Sequence, residues 1–177
     1  MKPVRAIVGA VLLLVVAPRA RAERLPLRIY TTADGLAHDS VNRVVQDSRG
    51  YLWICTDEGL SRFDGYSFTN YGVADGLPGA TVMDILEAGD GSYWVATFGG
   101  LARLSMQPST DRRSARRWQV RFESRPLDSD PGASQVRTLH QGRQGVLWAG
   151  TVHGLYRVDA EAATWSPRFI EDRKSVV

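Results

Sequence analysis

From Val41 onward the chain repeats a short rhythm of apolar stretches broken by glycine turns, without the 3.6-residue spacing of an amphipathic helix. Val41 to Gln46 is β-branched and apolar, and Asp47-Ser48-Arg49-Gly50 offers a tight turn in which glycine takes a positive φ. Leu52 to Thr56 reads as a second strand, Asp57-Glu58-Gly59 as a turn and Leu60 to Phe63 as a third strand. Asp64-Gly65 then leads into a fourth strand over Tyr66 to Tyr71. The pattern predicts one antiparallel sheet of four short strands.

The same unit recurs. Gly50, Trp53 and Gly59 reappear 41 residues later as Gly91, Trp94 and Gly100, and Asp34-Gly35-Leu36 returns as Asp75-Gly76-Leu77. A third copy carries Gly145, Trp148 and Gly154 with the same internal spacing. Its offset from the second is 54, so thirteen residues are inserted between the tryptophans. Trp118 to Phe122 alternates as a one-sided strand, and Trp165 to Phe169 repeats its Trp, Arg and Phe, with Pro167 acceptable only on an outer edge. The insertion therefore falls in an enlarged turn over about Gln107 to Ala115. A period near 40 to 45 residues built of short strands is that of a four-stranded propeller blade. The predicted fold is all-β: about three four-stranded antiparallel blades of an incomplete β-propeller, over 34–71, 75–123 and 134–170.

The recurring residues suit the frame of a blade. Trp53, Trp94 and Trp148 are large enough to fill the space between sheets, whereas Cys55, Ala96 and Gly150 share a position reserved for small groups. Thr56, Thr97 and Thr151 stand where a hydroxyl can bond to the following turn.

The two ends read differently. Met1 to Arg5 is basic, Ala6 to Ala17 is an unbroken apolar run too short to span a bilayer, and Ala20-Arg21-Ala22 fits a cleavage site. Residues 1–22 are therefore expected to be a signal peptide, helical in its apolar part, with the sensor segment over 23–171. The formal charge of +3 includes four basic residues from that leader, so −1 remains, and the case for a nucleic-acid partner loses its main support. The arginine cluster from Arg112 to Arg125 reads as a solvated loop and edge strand. Residues 172–177 read as a non-native tail that adds nothing to the fold.

The run Gln46-Asp47-x-x-Gly50-x-Leu52-Trp53-Ile54-x-Thr56-x-x-Gly59-Leu60 closely resembles the two-component regulator propeller repeat, as do Asp34-Gly35-Leu36 and Ser40-Val41. The second and third copies depart from it where Ala88 and Gly142 replace the turn acid. The resemblance implies the N-terminal part of a periplasmic, ligand-sensing receptor region in a two-component signalling system. Its output would be a hybrid histidine kinase or, less often, a diguanylate cyclase. It implies a parent in the inner membrane, reached only through a C-terminal region absent from this sequence, and a homodimer in the intact receptor. No catalytic residue, cofactor or metal is assigned to this chain.

A ligand, a small molecule or oligosaccharide, is expected at the blade end formed by the loops before the first strand and between the second and third. His38, Asp39, Asp57, Glu58, Phe98, Val152 and His153 stand there, varying between copies while the frame stays fixed. The rival is a propeller glycosidase or lyase. Asp47 lies three residues before Gly50, however, where an Asp-box has two, and spacing alone does not bring Asp57, Glu58, Asp84 and Glu87 to one pocket. A WD-type interaction scaffold lacks its dipeptide. His38, His140 and His153 have no metal-ligand spacing, and Cys55 reads as a packed thiol.

Overall fold

A computed structural model describes residues 27–108, 118–125, 127, 134–158 and 168–169. Among these, twelve strands form three four-stranded antiparallel sheets, each in simple sequential order. The first blade comprises β1 (Val41–Gln46), β2 (Leu52–Thr56), β3 (Gly59–Phe63) and β4 (Phe68–Tyr71). The second comprises β5 (Val82–Glu87), β6 (Tyr93–Thr97), β7 (Gly100–Pro108) and β8 (Trp118–Arg125). The third comprises β9 (Val136–Gln141), β10 (Leu147–Thr151), β11 (Gly154–Val158) and β12 (Arg168–Phe169).

Local chemistry closes each first hairpin. Gly50, Gly91 and Gly145 sit at φ 89°, 79° and 78°, and each donates its N–H three residues back, to the carbonyls of Asp47, Ala88 and Gly142. The Asp-Gly-Leu segments are also alike. Asp34 and Asp75 accept the N–H of Thr31 and Gly72 at 2.9 and 2.8 Å, which folds one tight turn and drops Leu36 and Leu77 into the interior.

Sheet stacks on sheet through alternate side chains, so the core consists of two inter-blade layers. Trp53, Cys55 and Leu60 of the first blade meet Val82, Ile85, Tyr93, Val95, Ala102 and Leu104 of the second. Trp94, Ala96 and Leu101 of the second meet Val136, Leu139, Leu147, Ala149, Tyr156 and Val158 of the third. Trp53 and Trp94 are 0% and 1% exposed, each facing an arginine across the sheet, Arg62 or Arg103. Those guanidinium groups lie 5.9 and 5.8 Å from the indole rings. Trp148 holds the same register opposite Arg157 but is only half-buried, because no further described sheet lies behind it.

Three boundaries differ from the sequence reading. The fourth strand of the first blade starts at Phe68 rather than Tyr66, because the Asp64 carboxylate accepts the N–H of Tyr66 and of Ser67 at 2.8 Å and holds both in the turn. Gln107 and Pro108 lie in β7, paired with Gln119 and Trp118, rather than in an enlarged turn, so part of the insertion lengthens the outer hairpin. Phe122 pairs with Leu104, but Phe169 pairs with Tyr156, a register two residues away from that of the second blade. The leader 1–22, the tail 172–177, Trp165 to Pro167 and most of the arginine cluster lie outside the described residues.

Candidate ligand-binding face

An antiparallel blade brings the start of its first strand and the turn between its second and third strands to one end. Here a threonine fixes each of those turns. Thr56, Thr97 and Thr151 donate their hydroxyls to the carbonyls of Gly59, Gly100 and Gly154 at 2.8, 2.9 and 3.1 Å. The same oxygens accept the N–H of Glu58, Gly99 and His153. The glycine closing the turn is sterically required at Gly59, where a Cβ would lie 2.6 Å from the Tyr71 carbonyl oxygen. Two positions between threonine and glycine differ from blade to blade, Asp57-Glu58, Phe98-Gly99 and Val152-His153, although at Gly99 the Pro78 carbonyl leaves no room for a Cβ.

The first two tips are touched by the beginning of the next blade, and the second is also tied to the start of its own. Thr81 donates its hydroxyl to the Asp57 carbonyl at 3.2 Å, and Phe98 donates its N–H to the Thr81 carbonyl at 3.0 Å. Asn42 donates to the Asp57 carboxylate and to the Val82 carbonyl, both at 2.9 Å. In the next joint the Arg137 guanidinium lies 5.6 Å from the centre of the Phe98 ring. Hydrogen bonds from the Asn42 and Ser40 side chains, with a smaller contribution from nearby His38, hold the half-buried Asp57 carboxyl below its ordinary pKa.

His38, Asp57 and Phe98 are thus brought onto one rim, with Phe98 38% exposed and Glu58 exposed beside Asp57. Val152 and His153 occupy the corresponding tip of the third blade and are exposed. Asp39 is exposed, but its carboxylate is turned to the Thr32 N–H at 2.7 Å, while His38 Nδ1 accepts the Ser40 N–H at 3.0 Å. Sequence reasoning missed Asn42, Thr81 and Arg137. The signal was available, because Asn42, Met83 and Arg137 fall at one repeat position that changes from blade to blade.

A second polar line runs through the first strands. Arg43, Asp84 and Thr138 occupy one repeat position. Asp84 pairs with Arg43 Nε at 2.9 Å and accepts the Leu139 N–H at 2.8 Å and the Thr138 hydroxyl at 3.3 Å. Its carboxylate therefore touches all three blades. Burial holds its pKa above the ordinary value, although the Leu139 N–H and Arg43 both favour the anion.

The carboxylates weighed for hydrolysis are dispersed. Asp57 and Glu58 stand at a tip, Asp84 is enclosed between strands, and Glu87, at the far end of β5, accepts from Ser48 N at 2.7 Å, Ser48 Oγ at 2.6 Å and Tyr93 OH at 3.2 Å. Burial pushes the Cys55 thiol up to about 12, as befits a packed side chain. An open recess of about 300 Å³ lies away from the tips, lined by Asp90, Gly91, Ser92, Arg103, Ser105 and Glu123. Among the described residues no group of three or more His, Cys, Asp or Glu side chains is placed to hold a metal, and no helix is long and apolar enough to cross a membrane.

Residues 35–58 and 76–99 match the two component regulator propeller family. The chain is 36% identical over 58 residues to Histidine kinase P4 of Formosa agariphila, a stretch covering 33% of this chain and 4% of that protein. Among solved structures, the extracellular domain of a hybrid two component system from B. thetaiotaomicron superposes with a TM-score of 0.59 at 22% identity. That match covers 80% of this chain and 19% of the other. Virginiamycin B lyase from Staphylococcus aureus superposes at 0.51 with 14% identity, over 74% and 41% of the two chains. At these identities the structural likeness establishes the propeller fold. The chain spans less than half the length of each of these proteins.

Proposed function

We propose, from the premise that this chain carries two component regulator propeller repeats, that it is an extracytoplasmic, ligand-sensing segment of a two-component receptor. The observation that carries this reading is the division of labour at the tips. Thr and Gly fix the backbone of the β2–β3, β6–β7 and β10–β11 turns identically, while Asp57-Glu58, Phe98-Gly99 and Val152-His153 differ in charge, size and polarity. A constant frame with variable tips is how repeat proteins present a binding surface.

The ligand class that fits is a small polar molecule or oligosaccharide. Asp57, Glu58 and Asn42 offer hydrogen bonds to hydroxyls, and Phe98 offers an apolar face for a sugar ring. Residues 1–22 would direct export to the periplasm. The parent receptor would be a homodimer anchored in the inner membrane by a later region, with a histidine kinase as output. Ligand spanning several tips would bias the dimer only through its differential affinity for two arrangements.

Calorimetric titration of the full chain with a panel of neutral and acidic oligosaccharides tests the assignment. Asp57→Ala with Glu58→Ala is expected to weaken the best binder at least about tenfold. Unchanged affinity in that pair, and in Phe98→Ala, would remove the tips from the binding surface.

A further inference from the structure

The first strand of every blade carries one extra residue at the same place. Val41 pairs with Thr56 and Arg43 with Cys55, Val82 with Thr97 and Asp84 with Ala96, Val136 with Thr151 and Thr138 with Gly150. Asn42, Met83 and Arg137 are thus the residues left out of the ladder. A bulge of this kind re-aims its side chain and is a recurrent device beside binding sites. Each stands beside the strand pair that leads into a tip, and the three differ in chemistry: an amide, a thioether and a guanidinium. Asn42 reaches the Asp57 carboxylate at 2.9 Å, and the Arg137 guanidinium lies 5.6 Å from the centre of the Phe98 ring. Resting on the ligand-binding reading of this face, we propose that the three bulged residues set its specificity, and that Arg137 with Phe98 takes the anionic group of an acidic sugar, a uronate or a sulfate ester.

The surroundings of Arg137 suit that role. It is exposed, and among the described residues no carboxylate pairs with it, whereas Arg43, Arg103 and Arg125 each face one, Asp84, Asp90 and Glu123. The Phe98 ring holds the guanidinium without neutralising it, so its fork of N–H donors stays available to an oxyanion. The strand behind it is anchored at once. Thr138 and Leu139 both bond to Asp84, through the hydroxyl at 3.3 Å and the N–H at 2.8 Å. Charge is also divided along the rim, with Asp57 and Glu58 at the first tip and Arg137 at the second joint, so an anionic group is repelled from one end and drawn to the other. Thr81 links the two ends, donating to the Asp57 carbonyl and accepting the Phe98 N–H, which keeps them within reach of one short oligosaccharide. That polarity selects one orientation: the acidic sugar over the exposed part of Phe98 with its anion on Arg137, and the hydroxyls of its neighbour toward Asp57 and Glu58.

Calorimetry on the full chain with matched trisaccharides of glucose, galactose and mannose, each in neutral, uronate and sulfate-ester forms, separates this assignment from the reading it rests on. The best-bound sugar is expected to bind at least about tenfold more tightly in an anionic form than in the neutral one, and that advantage should shrink between about 20 and about 300 mM salt. Arg137→Gln, at an exposed position where circular dichroism should show the fold retained, is expected to abolish the advantage and to leave the neutral form's affinity within about twofold. Arg137→Lys should keep part of it, because the charge survives without the fork. Asp57→Ala with Glu58→Ala should instead weaken both forms. Binding that this pair weakens but that shows no preference for an anion would overturn the proposal and leave the ligand-binding face standing. So would an Arg137→Gln chain that keeps the preference. No binding by any of these sugars, or binding untouched by every one of these variants, would overturn both readings.

Discussion

The joint between the first and second blades is fastened through a buried carboxylate, and the joint between the second and third is apolar at the same place. Asp47 accepts the backbone N–H of Arg49 at 3.0 Å and of Tyr51 at 2.9 Å, the Trp53 indole N–H at 2.9 Å and the Tyr93 hydroxyl at 3.0 Å. It thereby ties its own turn, its own tryptophan and the next blade together. Ala88 stands in its place in the second blade, where the partner is Leu147 rather than a tyrosine. Acid and phenol are present together or absent together. The physical reason is the asymmetry of buried hydrogen bonds: a satisfied pair contributes about 1 kcal/mol, whereas a stranded partner costs about 1–3 kcal/mol. One blade family can therefore use either joint, but not half of each.

The sharpest way to break this comparison is through the tryptophans. Trp53→Ala is expected to cost about 4 kcal/mol in urea unfolding of the full chain, and Trp148→Ala roughly half that, because one indole is enclosed and the other is half-buried. Equal losses would mean that the third blade is covered in solution. Next in size, Asp47→Ala alone should cost about 2 kcal/mol by stranding the Trp53 indole N–H and leaving the Tyr93 hydroxyl only its longer bond to Glu87. Adding Tyr93→Leu, which gives the first joint the chemistry of the second, should recover about 1 kcal/mol. Strict additivity in that cycle would show that the two positions are not coupled.

The smallest effects are slopes against pH. The raised pKa of Asp84 means that the folded chain keeps this proton longer than the unfolded chain. The associated stabilisation is complete below the ordinary value of 3.8 and is lost as pH rises through the raised one. The lowered pKa of Asp57 acts in the opposite sense: its contribution is present above 3.8 and is lost as pH falls through the lowered value. Melting temperatures taken between pH 3 and pH 7 should therefore change slope in opposite directions in Asp84→Asn and Asp57→Asn. Matching slopes would contradict the placement of one carboxylate inside the stack and the other on its rim.

Much of the architecture was legible in the chain. The Gly50-x-x-Trp53 spacing and its return at Gly91 and Gly145 determined strand order, hairpin geometry and blade number. Period-two side chains and glycine turns act locally and leave one way to fold each unit. The tips at Asp57, Phe98 and Val152 were legible for the same reason, as the variable residues inside a constant turn. Contacts between units were not. Nothing in the spacing says that Arg43 and Thr138 reach one buried Asp84, that Asn42 bridges Asp57 and Val82, or that Tyr93 answers Asp47 across a joint. Those pairings depend on how far one sheet rotates and slides against the next. That is a property of stacked surfaces, so only the tertiary structure decided it.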